Sequence, residues 1–248
     1  MFGHVVKDMV RDSAETEAAL EQANAQQGDR PNPLHTAFVA HGKTTLLVAG
    51  VASFWPTVFY VSFVWIATFE TTLVGPPLSS AFTINTVMVV LSTLLFPVLG
   101  VVADRVGPSR FMRAGTALAV VAALPAFAMV DRGDVFGMIV GQFVLMLISC
   151  AFGPGLPAWM VDAAPVECRY TIVGVGYNLA QALLGGTAPL LATAAYGLGG
   201  SAVWTGVYFA CVAALAGICL CVDARDKRTR GYQLQASSAD DSPEPSRP

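Results

Sequence analysis

Long apolar runs alternate with short polar segments along most of this chain. Each run is long enough to cross a bilayer as a helix, which takes about 20 residues. The pattern predicts six transmembrane helices, at residues 44–69, 80–103, 112–130, 135–159, 172–196 and 202–222. The sequence therefore predicts an all-α, multi-pass membrane protein.

Polar segments flank these six runs. Residues 1–43 are predicted to form a cytoplasmic lead-in with an amphipathic helix over residues 8–27, which Gly28 and the following prolines end. Residues 44–222 form the predicted transmembrane domain. Residues 223–248 begin with a basic run and end in Ser, Asp and Pro, a composition that predicts a disordered cytoplasmic tail.

The distribution of basic residues predicts the orientation. Six spans put both termini and the second and fourth loops on one side of the membrane. Of the 14 Lys and Arg residues, Arg132 alone falls on the other side, which leaves 14 − 1 = 13. Basic residues concentrate on the cytoplasmic side of membrane proteins. We therefore expect both termini in the cytoplasm, with the plasma membrane as the default location.

Composition argues against several classes of function. Charged residues make up 12% of the chain, against about 25% in soluble domains. No basic stripe interleaved with aromatics supports nucleic-acid binding. The five cysteines lack the spacing of a metal site or a disulfide framework. No nucleophile, base and orienting group cluster, so we expect neither an enzyme nor a bound cofactor or metal.

Glycine and proline interrupt the predicted helices. Gly137 and Gly141, with Gly133 before them, lie at four-residue spacing, so a second helix can approach that face closely. Residues 153–155 read GPG, and Gly-Gly with a nearby proline occurs over residues 185–189. Broken membrane helices occur where protein or a water-filled cavity covers the freed backbone. This favours a transporter or channel interior, with kinked packing helices as the alternative.

The turn between the second and third spans carries a motif. Residues 100–110 read GVVADRVGPSR. This run resembles the signature loop of the major facilitator superfamily, in which Gly, three residues, Asp, Arg, one residue and Gly precede basic residues. Such a charged pair beside helix ends can hold one conformation closed and separate in the other.

A second motif narrows the resemblance. Residues 165–189 read PVECRYTIVGVGYNLAQALLGGTAP, which is similar to the entry of helix eleven in the metabolite:proton symporter branch of that superfamily. Asp162 and Ala164 depart from the Glu and Phe usual there. Residues 11–15, RDSAE, resemble the acidic segment before helix seven. The resemblance implies that the chain corresponds to helices seven to twelve, the C-terminal half, and that a second six-helix half completes the transporter.

Polar side chains within apolar spans are costly and usually face a cavity or another helix. The candidates for contact with a solute are Tyr60, Asn85, Gln142, Asn178 and Gln181, with Trp55 beside them. Asn178 is favoured by its place in the family motif. For each amide, a hydrogen bond between helices remains the alternative. A cytoplasmic gate is predicted from Asp104, Arg105, Arg110, Glu167 and Arg169. For the arginines, surface charges that only set the orientation in the membrane remain the alternative.

No charged residue falls at mid-membrane depth, and Glu70, Asp131 and Asp134 are placed at the outer boundary. The resemblance implies that the coupling charge belongs to the first six helices. The leading hypothesis is transport of a small organic solute, a carboxylate or a betaine-like compound, coupled to protons. The expected partners are the solute, protons, the lipid bilayer and a second half, in cis or as a dimer partner. The alternative is a scaffold or regulator that does not transport, or a truncated product that needs its second half.

Overall fold

A computed structural model describes residues 35, 41–73 and 78–240 of this protein. Side chains are described up to residue 227, except that of residue 167. The chain divides into two units, Met1–Gly42 and Lys43–Pro248. The predicted helix over residues 8–27 lies outside the described residues.

Within the described residues, six long helices follow one another, each long and apolar enough to cross a membrane. They are α1 (Gly42–Thr72), α2 (Ala81–Val106), α3 (Pro108–Val130), α4 (Val135–Ala163), α5 (Arg169–Gly199) and α6 (Ala202–Asp240). Their order and positions confirm the six predicted spans and the all-α class.

The last helix extends past residue 222, where the predicted tail begins, and its backbone is helical to Asp240. Residues 223–230 contain neither glycine nor proline, and four of them are Lys or Arg, which are good helix formers. Lys227 also pairs with Asp223, one turn earlier, at 3.5 Å. Pairs at this spacing stabilise a helix. Local propensity thus carries the helix beyond its apolar stretch.

Helix ends are fixed by turn chemistry in three loops. Gly107 ends α2 at φ 97°, a conformation that disfavours other residues, and Pro108 then starts α3. The Asp134 carboxylate caps α4 by accepting from the Gly137 backbone N–H at 2.7 Å. The Asp131 carboxylate accepts from the backbone N–H of Ala202 at 2.7 Å and thereby joins the α3–α4 loop to the start of α6.

The helices differ in how much protein surrounds them. In the most apolar stretch of each helix, 61% of the residues are buried in α1 and 56% in α4. The share of buried residues is 39% in both α3 and α6, and 17% in both α2 and α5. Helices α1 and α4 therefore form the centre of the bundle, while α2 and α5 expose most of their surface.

Helices α3 and α4 approach each other closely, as the glycine spacing predicts. A side-chain carbon on Gly141 would lie 2.6 Å from the carbonyl oxygen of Ala126, and one on Gly137 would lie 2.2 Å from that of Met129. Gly133 is in the turn before α4, with φ 65°. Two of the three glycines thus allow the contact.

Three helices contain irregular turns. Helix α4 has a 3₁₀ turn at Gly153–Gly155, and α5 has a π-helical segment at Gln181–Gly185. Both coincide with the breaks predicted from glycine and proline. Helix α1 has a further π-helical segment, Tyr60–Trp65, which contains neither residue and was not predicted. In a π-helical turn, the backbone carbonyl groups are shifted away from the regular hydrogen bonds of an α-helix. Here the Ser62 carbonyl oxygen accepts a hydrogen bond from Gln142 of α4.

Candidate functional site

Hydrogen bonds from Gln142 join α1, α2 and α4, and Asn85 of α2 is half-buried. Gln142 of α4 is fully buried, and its Nε2 donates to the Ser62 carbonyl oxygen at 3.1 Å and to Asn85 Oδ1. The Ser62 side chain is also fully buried. We call Ser62, Asn85 and Gln142 the amide cluster. Two predicted candidates, Asn85 and Gln142, are therefore brought into direct contact.

The amide cluster has hydrogen-bonding groups that remain unused. Gln142 Oε1 and Ser62 Oγ are buried and have no partner among the described residues. A buried polar atom without a partner costs about 1–3 kcal/mol. The cluster thus holds one acceptor oxygen and one hydroxyl group that have no hydrogen-bond partner among the described residues.

An aromatic cleft lies beside the cluster. A cavity of 260 Å³ is lined by residues that include Phe63, Val89 and Ser149. A larger cavity of 610 Å³ extends towards Gly100. Both cavities share Trp55 and Phe96, whose ring centroids are 5.6 Å apart. These two rings separate the compartments, and we call the whole feature the aromatic cleft.

The irregular turn of α4 positions the aromatic ring of Trp55. A side-chain carbon on Gly153 would lie 2.2 Å from Trp55 Cζ3 and 2.7 Å from Phe96 Cζ. Both rings therefore pack against the bare backbone of Gly153. The absence of a side chain at Gly153 thus leaves the space that the two rings fill.

The other predicted candidates lie apart from the amide cluster. Tyr60 is half-buried, and its ring contacts that of Phe59. Asn178 is exposed and donates to the Gly174 carbonyl oxygen of its own helix at 2.8 Å. Gln181 is half-buried beside Gly185, and its Oε1 has no partner within the described part of the chain.

Asp104, Arg105 and Arg110 line one groove of 470 Å³ at the end of the bundle that holds the α2–α3 turn. We call this the Asp104 end. No ion pair links these three residues to one another or to other described side chains. Arg169 donates to the Ala164 carbonyl oxygen at 3.3 Å. The side chain of Glu167 lies outside the described residues.

Different charged residues are paired at the Asp104 end. Lys227 of α6 bonds to Asp162 of α4 at 2.5 Å, and Lys43 of α1 bonds to Asp226 at 2.8 Å. Trp159 Nε1 donates to the nearly buried carboxylate of Asp223 at 3.1 Å. This network was not predicted from the sequence, because only the four-residue spacing of Asp223 and Lys227 signals part of it.

Three acids lie at the opposite end of the bundle, which we call the Asp131 end. Hydrogen bonds from the Arg132 side chain and from the Gly137 backbone lower the pKa of Asp134. Asp131 accepts from Ser201 Oγ at 2.7 Å as well as from α6. Glu70 is fully buried, and neither carboxylate oxygen has a partner among the described residues.

The described residues thus contain six helices able to cross a membrane, with an internal polar cluster and an adjoining cleft, and they define a multi-pass membrane protein. The chain is 31% identical over 199 residues to the inner membrane metabolite transport protein YhjE of Escherichia coli, which covers 76% of this chain and 44% of that protein. It is 29% identical to a citrate-proton symporter of Klebsiella pneumoniae, over 56% of this chain and 31% of the symporter. It is 24% identical to the shikimate transporter of Escherichia coli, over 75% and 43% of the two chains.

These relatives are transporters of the major facilitator superfamily, and this chain is homologous to part of each. The chain spans less than half the length of the curated relatives that it matches. No protein-family model matches the chain, and no solved structure matches it significantly. The resemblance deduced from residues 100–110 and 165–189 is confirmed at the level of the superfamily.

Proposed function

We propose that this chain is the C-terminal half of a proton-coupled secondary transporter for a small organic solute, either a carboxylate or a betaine-like or amino-acid-like compound. The observation that carries the proposal is the buried amide cluster with its unused polar groups beside the aromatic cleft. The relatives support the class of activity, since they include transporters of ectoine and proline, of citrate and of shikimate.

The chemistry of the cleft suits such solutes. Asn85 lies one turn before Val89, which lines the smaller cavity, so a solute there lies near the amide cluster. Amide groups can bond to both charged and neutral parts of a small polar molecule. The faces of Trp55 and Phe96 suit the cationic group of a betaine or an amino acid.

The second half supplies the other wall of the solute path in this proposal. Helices α2 and α5 are the least buried, so they have the most surface to offer to a partner. Rocking of two six-helix halves around a central site then gives alternating access. Asp104, Arg105 and Arg110, which have no ion-pair partner within the described residues, form pairs with the second half when the Asp104 end is closed.

Glu70 supports proton coupling from within this half. Asp131 and Asp134 face it, and each is held by donors of its own, while Arg132 pairs with Asp134 at 3.2 Å. Removing an unpaired charge from water costs far more than binding a proton. We therefore assign proton uptake and release to Glu70. The sequence places Glu70 at the outer boundary, but its side chain is enclosed by protein.

Uptake by reconstituted protein tests this function. The chain is co-expressed with the N-terminal six-helix part of the E. coli YhjE protein, and liposomes with both are given radiolabelled citrate, proline or shikimate under a proton gradient. We expect uptake of at least one solute, lowered about tenfold by Asn85→Leu, which corresponds to the loss of about one hydrogen bond.

Thr86→Val provides the matched control, since this exposed hydroxyl on the same helix bonds only to its own turn, at the Phe82 carbonyl oxygen. Uptake by the control should equal that of the wild-type protein. If the folded pair takes up none of the solutes, or if Asn85→Leu transports normally, the proposed function is wrong. In that case, a scaffold or regulator becomes the better explanation.

A further inference from the structure

A groove of 430 Å³ runs along the outside of the bundle between α3 and α6. Its floor consists of small side chains, which include Ala117, Ala213 and Gly217. Gly217 allows the two helices to approach, since a side-chain carbon there would lie 3.1 Å from Thr116 Oγ1. The larger side chain of Ile218 borders the groove and is 63% exposed. Small residues between larger ones thus produce an elongated apolar depression.

Two guanidinium groups lie at one end of this groove, those of Arg113 on α3 and Arg225 on α6. The described lining contains no acidic residue. Of the nearest acids along α6, Asp223 binds Trp159 and Lys227, and Asp226 binds Lys43. The mouth of the groove thus carries two guanidinium groups, while its floor is apolar.

Both arginines have donors available for an anion. Arg113 uses Nε to donate to the Ser109 carbonyl oxygen at 3.2 Å. A guanidinium group carries five N–H donors, so the terminal nitrogens of Arg113 can still bond to phosphate oxygens. Arg225 also carries five N–H donors, so it can bind a phosphate while it keeps its existing partner. Arginine is well suited to this, since its planar fork matches the geometry of a phosphate.

We propose that this groove binds one anionic phospholipid, with an acyl chain along the apolar floor and the phosphate between Arg113 and Arg225. Charge complementarity identifies the occupant, because basic pockets between membrane helices favour anionic headgroups. The apolar length of the groove distinguishes a lipid from a free anion. The groove lies on the outside of α3 and α6, away from the aromatic cleft, so this inference does not depend on the proposed transport activity.

Native mass spectrometry of the purified chain in detergent tests the inference, with dioleoyl phosphatidylglycerol and dioleoyl phosphatidylcholine as probes. We expect one molecule of phosphatidylglycerol to bind more tightly than phosphatidylcholine. The double variant Arg113→Gln/Arg225→Gln should bind phosphatidylglycerol about 30-fold more weakly, because each arginine near an anionic headgroup contributes roughly fivefold. The matched control, Arg105→Gln/Arg110→Gln, loses the same charge at the same end and should bind like wild type.

Filling the groove provides a second test that leaves both arginines in place. Ala117→Leu should weaken phosphatidylglycerol binding, whereas Ala194→Leu, at an exposed position of α5, should not. The inference is overturned if the two lipids bind equally, or if the control pair loses as much affinity as the arginine pair in the groove. It is also overturned if glycerol phosphate competes as well as the lipid does, or if Ala117→Leu changes nothing.

Discussion

Replacement of Gln142 by leucine distinguishes a functional amide from a structural one. Gln142→Leu removes two hydrogen bonds, one to the Ser62 carbonyl oxygen and one to Asn85 Oδ1. Hydrogen bonds between membrane helices contribute about 0.6 kcal/mol each on average, so their loss costs roughly 1.2 kcal/mol. The substitution also removes Oε1, which is buried without a partner among the described residues.

Burial of such an oxygen costs about 1–3 kcal/mol, a contribution opposite in sign and similar in size. We therefore expect the free energy of unfolding to stay within about 1 kcal/mol of the wild-type value. Transport should fall about tenfold or more, because the solute loses a polar contact in an enclosed site.

The assay combines two measurements on the same preparations. Unfolding of the purified chain by denaturing detergent gives the change in stability, and uptake by the two-half liposomes gives the change in function. Thr86→Val serves as the control in both. A loss of more than about 3 kcal/mol with a proportional loss of uptake would contradict a functional role, because Gln142 would then hold the helices together. Unchanged uptake would refute it as well.

Three further predictions follow from the described contacts. Gly141→Ala should lower the free energy of unfolding by about 1–3 kcal/mol, because the new side-chain carbon would lie 2.6 Å from the Ala126 carbonyl oxygen. Gly197→Ala is the control, since Gly197 has open space around it and the substitution should not destabilise the chain. The pKa of Asp134 is lowered from 3.8, so the ionised carboxylate caps and stabilises α4 above pH 3.8, and this stabilisation is lost as the pH falls below that value. Asp134→Asn should therefore make the helix content, measured by circular dichroism, less sensitive to acid. Glu70→Gln should leave solute exchange intact but abolish the response of uptake to a proton gradient, and retention of that response would contradict the assignment of Glu70.

Much of the fold could be predicted because membrane helices follow simple rules. Length and hydropathy located all six helices, since each must satisfy its own backbone hydrogen bonds in lipid. The breaks at residues 153–155 and 185–189 were visible as glycine and proline. The π-helical segment at Tyr60–Trp65 was not, because it contains neither glycine nor proline, and its contact with Gln142 joins residues 80 positions apart along the chain.

The candidate site was predictable as a set of residue types but not as an arrangement. Asn85 and Gln142 stood out because amides are rare in apolar helices, yet their pairing depends on how α2 and α4 pack. Asn178 followed from a motif and lies on an exposed surface, where its contacts in the described structure are local. Its role as a solute contact remains a prediction that concerns the second half as much as this one.

Ion pairs were harder to anticipate than polar side chains in the membrane. The predicted gate residues Asp104 and Arg105 line a groove without pairing, while Asp162 pairs with Lys227, 65 residues away. A charged residue at a helix end has many partners within reach, so sequence position alone does not select one. Only the approach of α4 and α6 at the Asp104 end determines which pair forms.

The central claim is that this chain completes a proton-driven transporter when its second half is present. The most direct measurement is the steady-state ratio of labelled solute inside and outside liposomes that contain the chain alone, the YhjE N-terminal part alone, or both. We expect accumulation only with both parts, and only while the proton gradient lasts. Equal ratios in all three preparations, with both parts shown to be folded, would contradict it.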